Sequence, residues 1–129
     1  METSTEVYNV YFDPSLQLVV MEWNGYATTA QFREGTELML NTLIKNNVSK
    51  VLADIKNMVL IGADDQKWLE NNFLPRACEF GFNAIAIVKP DNYFNKVAVE
   101  SVSYKVNTDK LTICFFDGVE EAKEWLSVN

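Results

Sequence analysis

Three short apolar runs, VLADI (residues 51–55), AIAIV (84–88) and LTICFF (111–116), each follow a stretch whose apolar residues recur at helical spacing. Runs this short are too brief for helices and suit buried strands. Strands separated by helices are joined by right-handed crossovers, and such crossovers build a mostly parallel sheet. The N-terminal part departs from this pattern. Residues 7–12 and 16–23 read as strands rich in β-branched and aromatic residues, with only Asp13, Pro14 and Ser15 between them. That is turn chemistry, so the sheet is expected to open with an antiparallel hairpin. The fold class is therefore α/β, in the order ββαβαβαβα. A length of 129 residues fits one domain spanning 1–129.

The helical stretches carry their own punctuation. Thr28 and Gln31 have the spacing of a capping box, in which hydroxyl and amide satisfy each other's free backbone donors. Phe32, Thr36, Met39, Leu40 and Leu43 then share one helix face, and Asn46 and Asn47 suit its end. Asp64 and Asp65 open a second helix, placing acid at its positive end. Leu69, Phe73, Ala77 and Phe80 give that helix an inward stripe, Pro75 is expected to kink it, and Gly81 to cap it. A third helix starts at Pro90 and Asp91, with Phe94, Val97, Ala98 and Ser101 on one face. Val119, Ala122, Trp125 and Leu126 mark a short closing helix.

Composition excludes several functions. The chain has no histidine, which removes the commonest general acid/base and the commonest metal ligand. A net charge of −7 disfavours nucleic acid and anionic membranes as partners. The longest apolar runs fall far short of the roughly 20 residues that span a bilayer. The N-terminus METSTEV lacks the basic and apolar regions of a secretory signal. Cys78 and Cys114 form no CxxC pair, so a cytoplasmic location with both thiols reduced is expected. No phosphate-cradling glycine pattern occurs, and no cofactor is expected.

What remains sits where function gathers in parallel sheets, outside the carboxyl ends of the strands. Asp54 ends a strand there and is the best single acidic candidate, although fixing the loop by hydrogen bonds is the plainer role. The loop 56–63 is unusually apolar: Met58, Val59, Leu60 and Ile61 stand where a polar connection is normal. Either they fold back onto the core or they form a contact surface for a partner or small ligand. Trp68, one turn into the next helix, is close enough to share that surface. Trp23 and Tyr26 flank Asn24 and Gly25, a place where aromatics usually form the edge of a core.

This order of elements, with a strand-end Asp, an apolar loop and a helix start, resembles a STAS domain. The segments VSKVLADIKNM (48–58), DDQKWLENNFLPRA (64–77) and FFDGVEEAKEWL (115–126) are most similar to the divergent SpoIIAA-like branch, grouped with STAS/Sec14-type proteins. The resemblance implies an anti-sigma-factor-antagonist-like domain. Family members of that kind carry a phosphorylated serine at the start of the helix after this loop. Ungapped placement of Asp54 on the family's strand-end Asp puts Asp64 at that serine. No Ser or Thr occurs between residues 51 and 100, so the phosphorylation switch is absent at this point.

The leading expectation is a non-catalytic regulatory or protein-interaction domain, recognising a protein partner through Asp54, Met58, Leu60, Ile61, Asp64 and Trp68. The alternative is a domain that binds a small apolar or lipid-like ligand, favoured by 12% aromatic residues and four methionines. An enzyme would have to work with Asp54, Lys56, Asp64 or Cys78. A homodimer is the default for a small domain of this kind.

Overall fold

The computed structural model describes residues 3–4, 7–59, 61–89 and 111–128. Within them the chain runs β1 (Thr3–Ser4), β2 (Tyr8–Asp13), β3 (Leu18–Gly25), α1 (Thr29–Lys45), β4 (Lys50–Met58) and α2 (Ala63–Trp68). A π-helical turn (Leu69–Phe73), α3 (Leu74–Glu79), β5 (Ala84–Val88), β6 (Thr112–Phe116) and α4 (Val119–Ser127) follow. The helix expected from Pro90, and Leu60 in the apolar loop, lie outside the described residues.

These six strands form one sheet in sequential order, β1 to β6. β1, β2 and β3 are antiparallel, and β3 through β6 pair in parallel. The expected antiparallel start and parallel continuation are both present. Each described crossover steps to the next strand in the same direction, so right-handedness puts α1 and α2–α3 on the same face. Alternation along the strands then divides the core. Val19, Met21, Trp23, Val51, Ala53 and Ile55 face α1 and α3, whereas Leu18, Val20, Leu52, Ala86 and Val88 face Ala122 and Leu126 of α4. The last helix crosses nothing and is free to cover the second face. Lys50 Nζ donates to the Leu126 carbonyl at 2.8 Å, tying the end of α4 to the start of β4.

Local chemistry explains most boundaries. Gln31 N donates to Thr28 Oγ1 at 3.1 Å and Thr28 N to Gln31 Oε1 at 3.0 Å, so the capping box forms as expected. Phe32, Thr36, Met39, Leu40 and Leu43 are all buried. Asn47 takes the left-handed conformation (φ 52°) just past the helix. In the hairpin, Asp13 Oδ1 accepts from the Ser15 hydroxyl at 2.9 Å and from the Ser15 and Leu16 amides. The Ser15 hydrogen bond above all holds the Asp13 carboxyl below its ordinary range. The hairpin turn is one step longer than expected, and Gln17 closes it with φ 55°.

Three expectations are corrected. β4 runs on to Met58, so Lys56, Asn57 and Met58 are strand, not loop. Phe80 is 56% exposed, because α3 stops at Glu79 and the chain reverses at Gly81 (φ 97°); Phe82 is buried in its stead. Pro75 does not bend a continuous helix. It lacks the N–H that would serve the carbonyl four residues back, and the helix widens before it, with Leu74 N reaching Leu69 O.

Helix α1 meets the hairpin without a spacer. A Cβ on Gly35 would lie 2.6 Å from Trp23 Cη2 and 3.0 Å from Tyr8 Cγ. Real atoms do not approach so closely, so only glycine fits unless the indole moves. Beside it the buried Tyr8 hydroxyl donates to Glu34 Oε1. Burial first, then the Glu34 hydrogen bond and charge, push the Tyr8 phenol from 10.0 up to about 12.

Gly35→Ala should therefore destabilise the chain. Alanine gains about 1 kcal/mol of helix propensity, but overpacking typically costs about 1–3 kcal/mol, and a rigid indole leaves little room to yield. Urea unfolding should show a lower midpoint at unchanged slope; an unchanged or higher midpoint contradicts the contact. Tyr8 gives a second test. Folding favours its neutral form, so its contribution is complete below pH 10.0 and lost as pH rises to about 12. At about 1.4 kcal/mol per pKa unit, that loss is of the order of 2–3 kcal/mol. Tyr8→Phe should flatten the decline of stability across this window, measured by denaturation at each pH.

Candidate functional site

The carboxyl ends of the parallel strands form a rim from Gly25 through Met58 and Lys89 to Asp117. Val59 N donates to Gly25 O at 2.9 Å, prolonging the β3–β4 pairing beyond the sheet proper. This bond brings Tyr26 and Val59 to adjoining strand ends, 60% and 47% exposed. Their neighbours in the chain turn the other way. Met58 and Ile61 are buried among the core side chains. The apolar loop thus divides its side chains between the interior and the surface; strict alternation is broken after Ile55, where the β3–β4 register shifts and Met58 turns inward.

The acidic candidates do not converge. Asp54 does not end its strand as expected: it stands in the middle of β4, partly buried, and its Oδ1 accepts from the Lys56 amide at 3.2 Å within the same strand. Asp64 is exposed in the first turn of α2. Asp65 is buried, with its Oδ1 3.6 Å from Arg33 Nε and its Oδ2 accepting from the Thr29 hydroxyl at 3.4 Å. Dipole complementation alone does not account for Asp65: it joins the start of α2 to α1. Across the rim, Lys89 Nζ pairs with Asp117 at 3.1 Å. Both cysteines are partly buried. Among the described residues no group of three or more His, Cys, Asp or Glu side chains is placed to hold a metal ion.

Trp68 is partly buried and belongs to a ladder of rings. Tyr8 and Trp23 lie 5.4 Å apart, Trp23 and Phe32 5.5 Å, Phe32 and Trp68 6.3 Å, and Trp68 and Phe73 5.4 Å. The ladder follows the seam between α1, the sheet and the second helical segment. Arg33 lies over Trp68 at 5.3 Å and Arg76 over Phe73 at 5.5 Å. Arg76 also donates to Glu37 of α1 at 2.8 Å.

Beside this ladder is a cavity of about 110 Å³ between the sheet, α1 and the π turn. Met21, Ala53 and Ile55 floor it, Met39 and Thr36 come from α1, and Met58 and Ile61 from the loop. Leu69, Phe73 and Leu74 close the outer side. Among the described residues of this lining Thr36 is the one with a polar side chain, and its hydroxyl donates to the Phe32 carbonyl at 2.7 Å. At about 24 cal/mol per Å³, leaving such a space unfilled costs roughly 2–3 kcal/mol. Of the candidates, Met58 and Ile61 line the cavity; Asp54, Asp64 and Trp68 do not. Gly35, the Arg33–Asp65 pair and the cavity went unforeseen. Only the cavity had a sequence signal, in methionines spread over a helix and two strands.

A family profile described as SpoIIAA-like matches residues 18–127. Among solved structures, the chain is similar to an uncharacterized protein with a SpoIIAA-like fold from Shewanella loihica PV-4. Identity is 16%, TM-score 0.63, and the alignment covers 98% of each chain. No curated protein matches the chain.

The join between α1 and α2 can be tested alone. Arg33→Ala leaves the Asp65 carboxylate buried without its counter-charge and should cost about 1–3 kcal/mol. Arg33→Ala combined with Asp65→Ala should recover part of that loss. A double-mutant cycle measures the coupling; strictly additive effects would show that the pair contributes nothing.

Proposed function

The chain belongs to the SpoIIAA-like family, and from that premise we propose that it is a non-catalytic regulatory or protein-interaction domain of the STAS-like type. The observation that carries this reading is the pair of exposed apolar side chains, Tyr26 and Val59, on adjoining strand ends at the rim. Exposed apolar groups next to each other mark a contact surface more often than groups scattered singly. In this reading the segment 56–63, the end of β4 with the connection into α2, receives a protein partner. Met58 and Ile61 brace it from inside, and Asp54, in the middle of β4, bonds to the Lys56 amide. Leu60 joins the surface on sequence grounds. Asp64, in the first turn of α2, stands in the region where antagonist members carry the switch serine. With no Ser or Thr from 51 to 100, binding here is regulated by something other than phosphorylation of that segment.

The non-catalytic reading draws support from dispersion. None of Asp54, Lys56, Asp64 and Cys78 lines the cavity, and the described residues of its wall include no charged group. No described helix is long and apolar enough to cross a membrane. A cytoplasmic setting is part of this reading, and self-association stays within it as a homodimer.

The direct test is recovery of a partner from a cell extract on the immobilised chain. Tyr26→Asp with Val59→Asp should abolish it. Phe80→Asp alters an equally exposed apolar residue before the start of β5, at the opposite end of the sheet, and should leave recovery intact. Undiminished recovery with the rim variant rejects this surface.

A further inference from the structure

We propose that the cavity beneath the π turn is a binding site for a compact, uncharged apolar molecule, about the size of a small hydrocarbon or a single aromatic ring. This inference concerns the interior and does not rest on the rim's receiving a protein.

Size is the first consideration. Protein interiors are packed like organic crystals, and voids larger than a water molecule are few. A dry cavity of about 150 Å³ lined by Leu, Ile and Phe is large enough to bind benzene or xenon. The cavity here measures about 110 Å³, the same order, and is far too small for a whole lipid chain.

The wall defines the chemistry. A buried water needs two to four polar partners, about what a small polar site supplies. Among the described residues of the wall Thr36 alone brings a polar side chain, and its proton is committed to the Phe32 carbonyl. Water is poorly served in such a space, and so is a charged or strongly hydrogen-bonding ligand. An apolar molecule gives up no hydrogen bond by entering and gains contact with the apolar side chains that line the space.

Adaptability is the third point. Met21, Met39 and Met58 line the cavity, three of the four methionines in the chain. Their unbranched thioethers rearrange at low cost, which suits walls that must fit an occupant. The outer wall is the π turn Leu69–Phe73, where α2 gives way to α3. Single π turns occur disproportionately at functional positions.

The test is a titration of the full 129-residue chain, labelled with ¹³C at the methionine methyls, with benzene and separately with xenon. Both probes should give saturable shifts at Met21, Met39 and Met58, with Met1 unmoved. Phenol, similar in shape but carrying a hydroxyl, should bind at least tenfold more weakly than benzene. Ala53→Leu, which extends a side chain into the space, should abolish the shifts; if that variant does not fold, Ala53→Val is read in the same way. Benzene should also raise the Tm of the parent chain and not that of the filled variant. The proposal is overturned if no saturable shift appears up to the solubility of benzene, or if Met1 responds like the other three. An equal phenol affinity, or an undiminished response in the filled variant, overturns it as well.

Discussion

The seating of α1 on the hairpin is the contact on which the rest depends. Gly35 removes the side chain that would otherwise separate helix from sheet, and Trp23 fills the space with Tyr8 beside it. From there the packing is contiguous. Trp23 stacks towards Phe32, Phe32 towards Trp68, and Trp68 towards Phe73, so the helix position is passed along a row of rigid rings. Rings have few internal degrees of freedom and bury large areas, so they transmit position well at low entropic cost. If α1 stood one methyl group further out, both the second helical segment and the cavity wall would move with it.

The sequential strand order has a related consequence. With α1 and α2–α3 on one face, that side of the sheet must receive three separate pieces of helix and the apolar loop. The opposite face receives α4 over small residues, Ala84, Ala86 and Ala122, which allow close approach. The space that remains unfilled lies on the crowded, irregular side. The π turn contributes to it. Its five-residue repeat sets Leu74 above Leu69, and Phe73 remains beside them, so all three reach the same cavity.

Much of this was legible in the sequence because local signals agreed with the global pattern. The capping box at Thr28, the inward face of α1 and the strand at 84–88 lie where spacing and side-chain chemistry put them. The hairpin was equally plain, although its strands end one or two residues later than the pattern suggests. The apolar loop was not decidable. Periodicity alone does not separate a strand that continues from a loop that folds back, and Met58 and Ile61 were settled by what lay beneath them. Gly35 was silent, since a glycine in a helix signals cost and does not name the ring that needs the space. Phe80 was misplaced by helical spacing because the helix had already ended. Asp65 looked like one half of a dipole-complementing pair, and the basic partner that distinguishes it from Asp64 is 32 positions earlier in the chain.

The charges at this seam show how a net −7 chain uses its few cations. Arg33 reaches from α1 to an acid on α2, and Arg76 reaches from α3 to an acid on α1, so the two helical segments exchange one partner in each direction. Each guanidinium also lies over a ring of the ladder, Trp68 in one case and Phe73 in the other. A lysine could match the charge but not the planar stacking, because a guanidinium is weakly hydrated and lies flat on an aromatic face. Arg76 and Glu37 are both partly exposed, so that ion pair is itself worth little, whereas Arg33 answers the buried Asp65. The effect the two arginines share is to cover two rings of the second segment, Trp68 by Arg33 from α1 and Phe73 by Arg76 from the segment itself. Of those rings only Phe73 lines the cavity, so the Arg76 guanidinium lies one ring away from that space, while Arg33 over Trp68 fastens α1 to the start of the same segment.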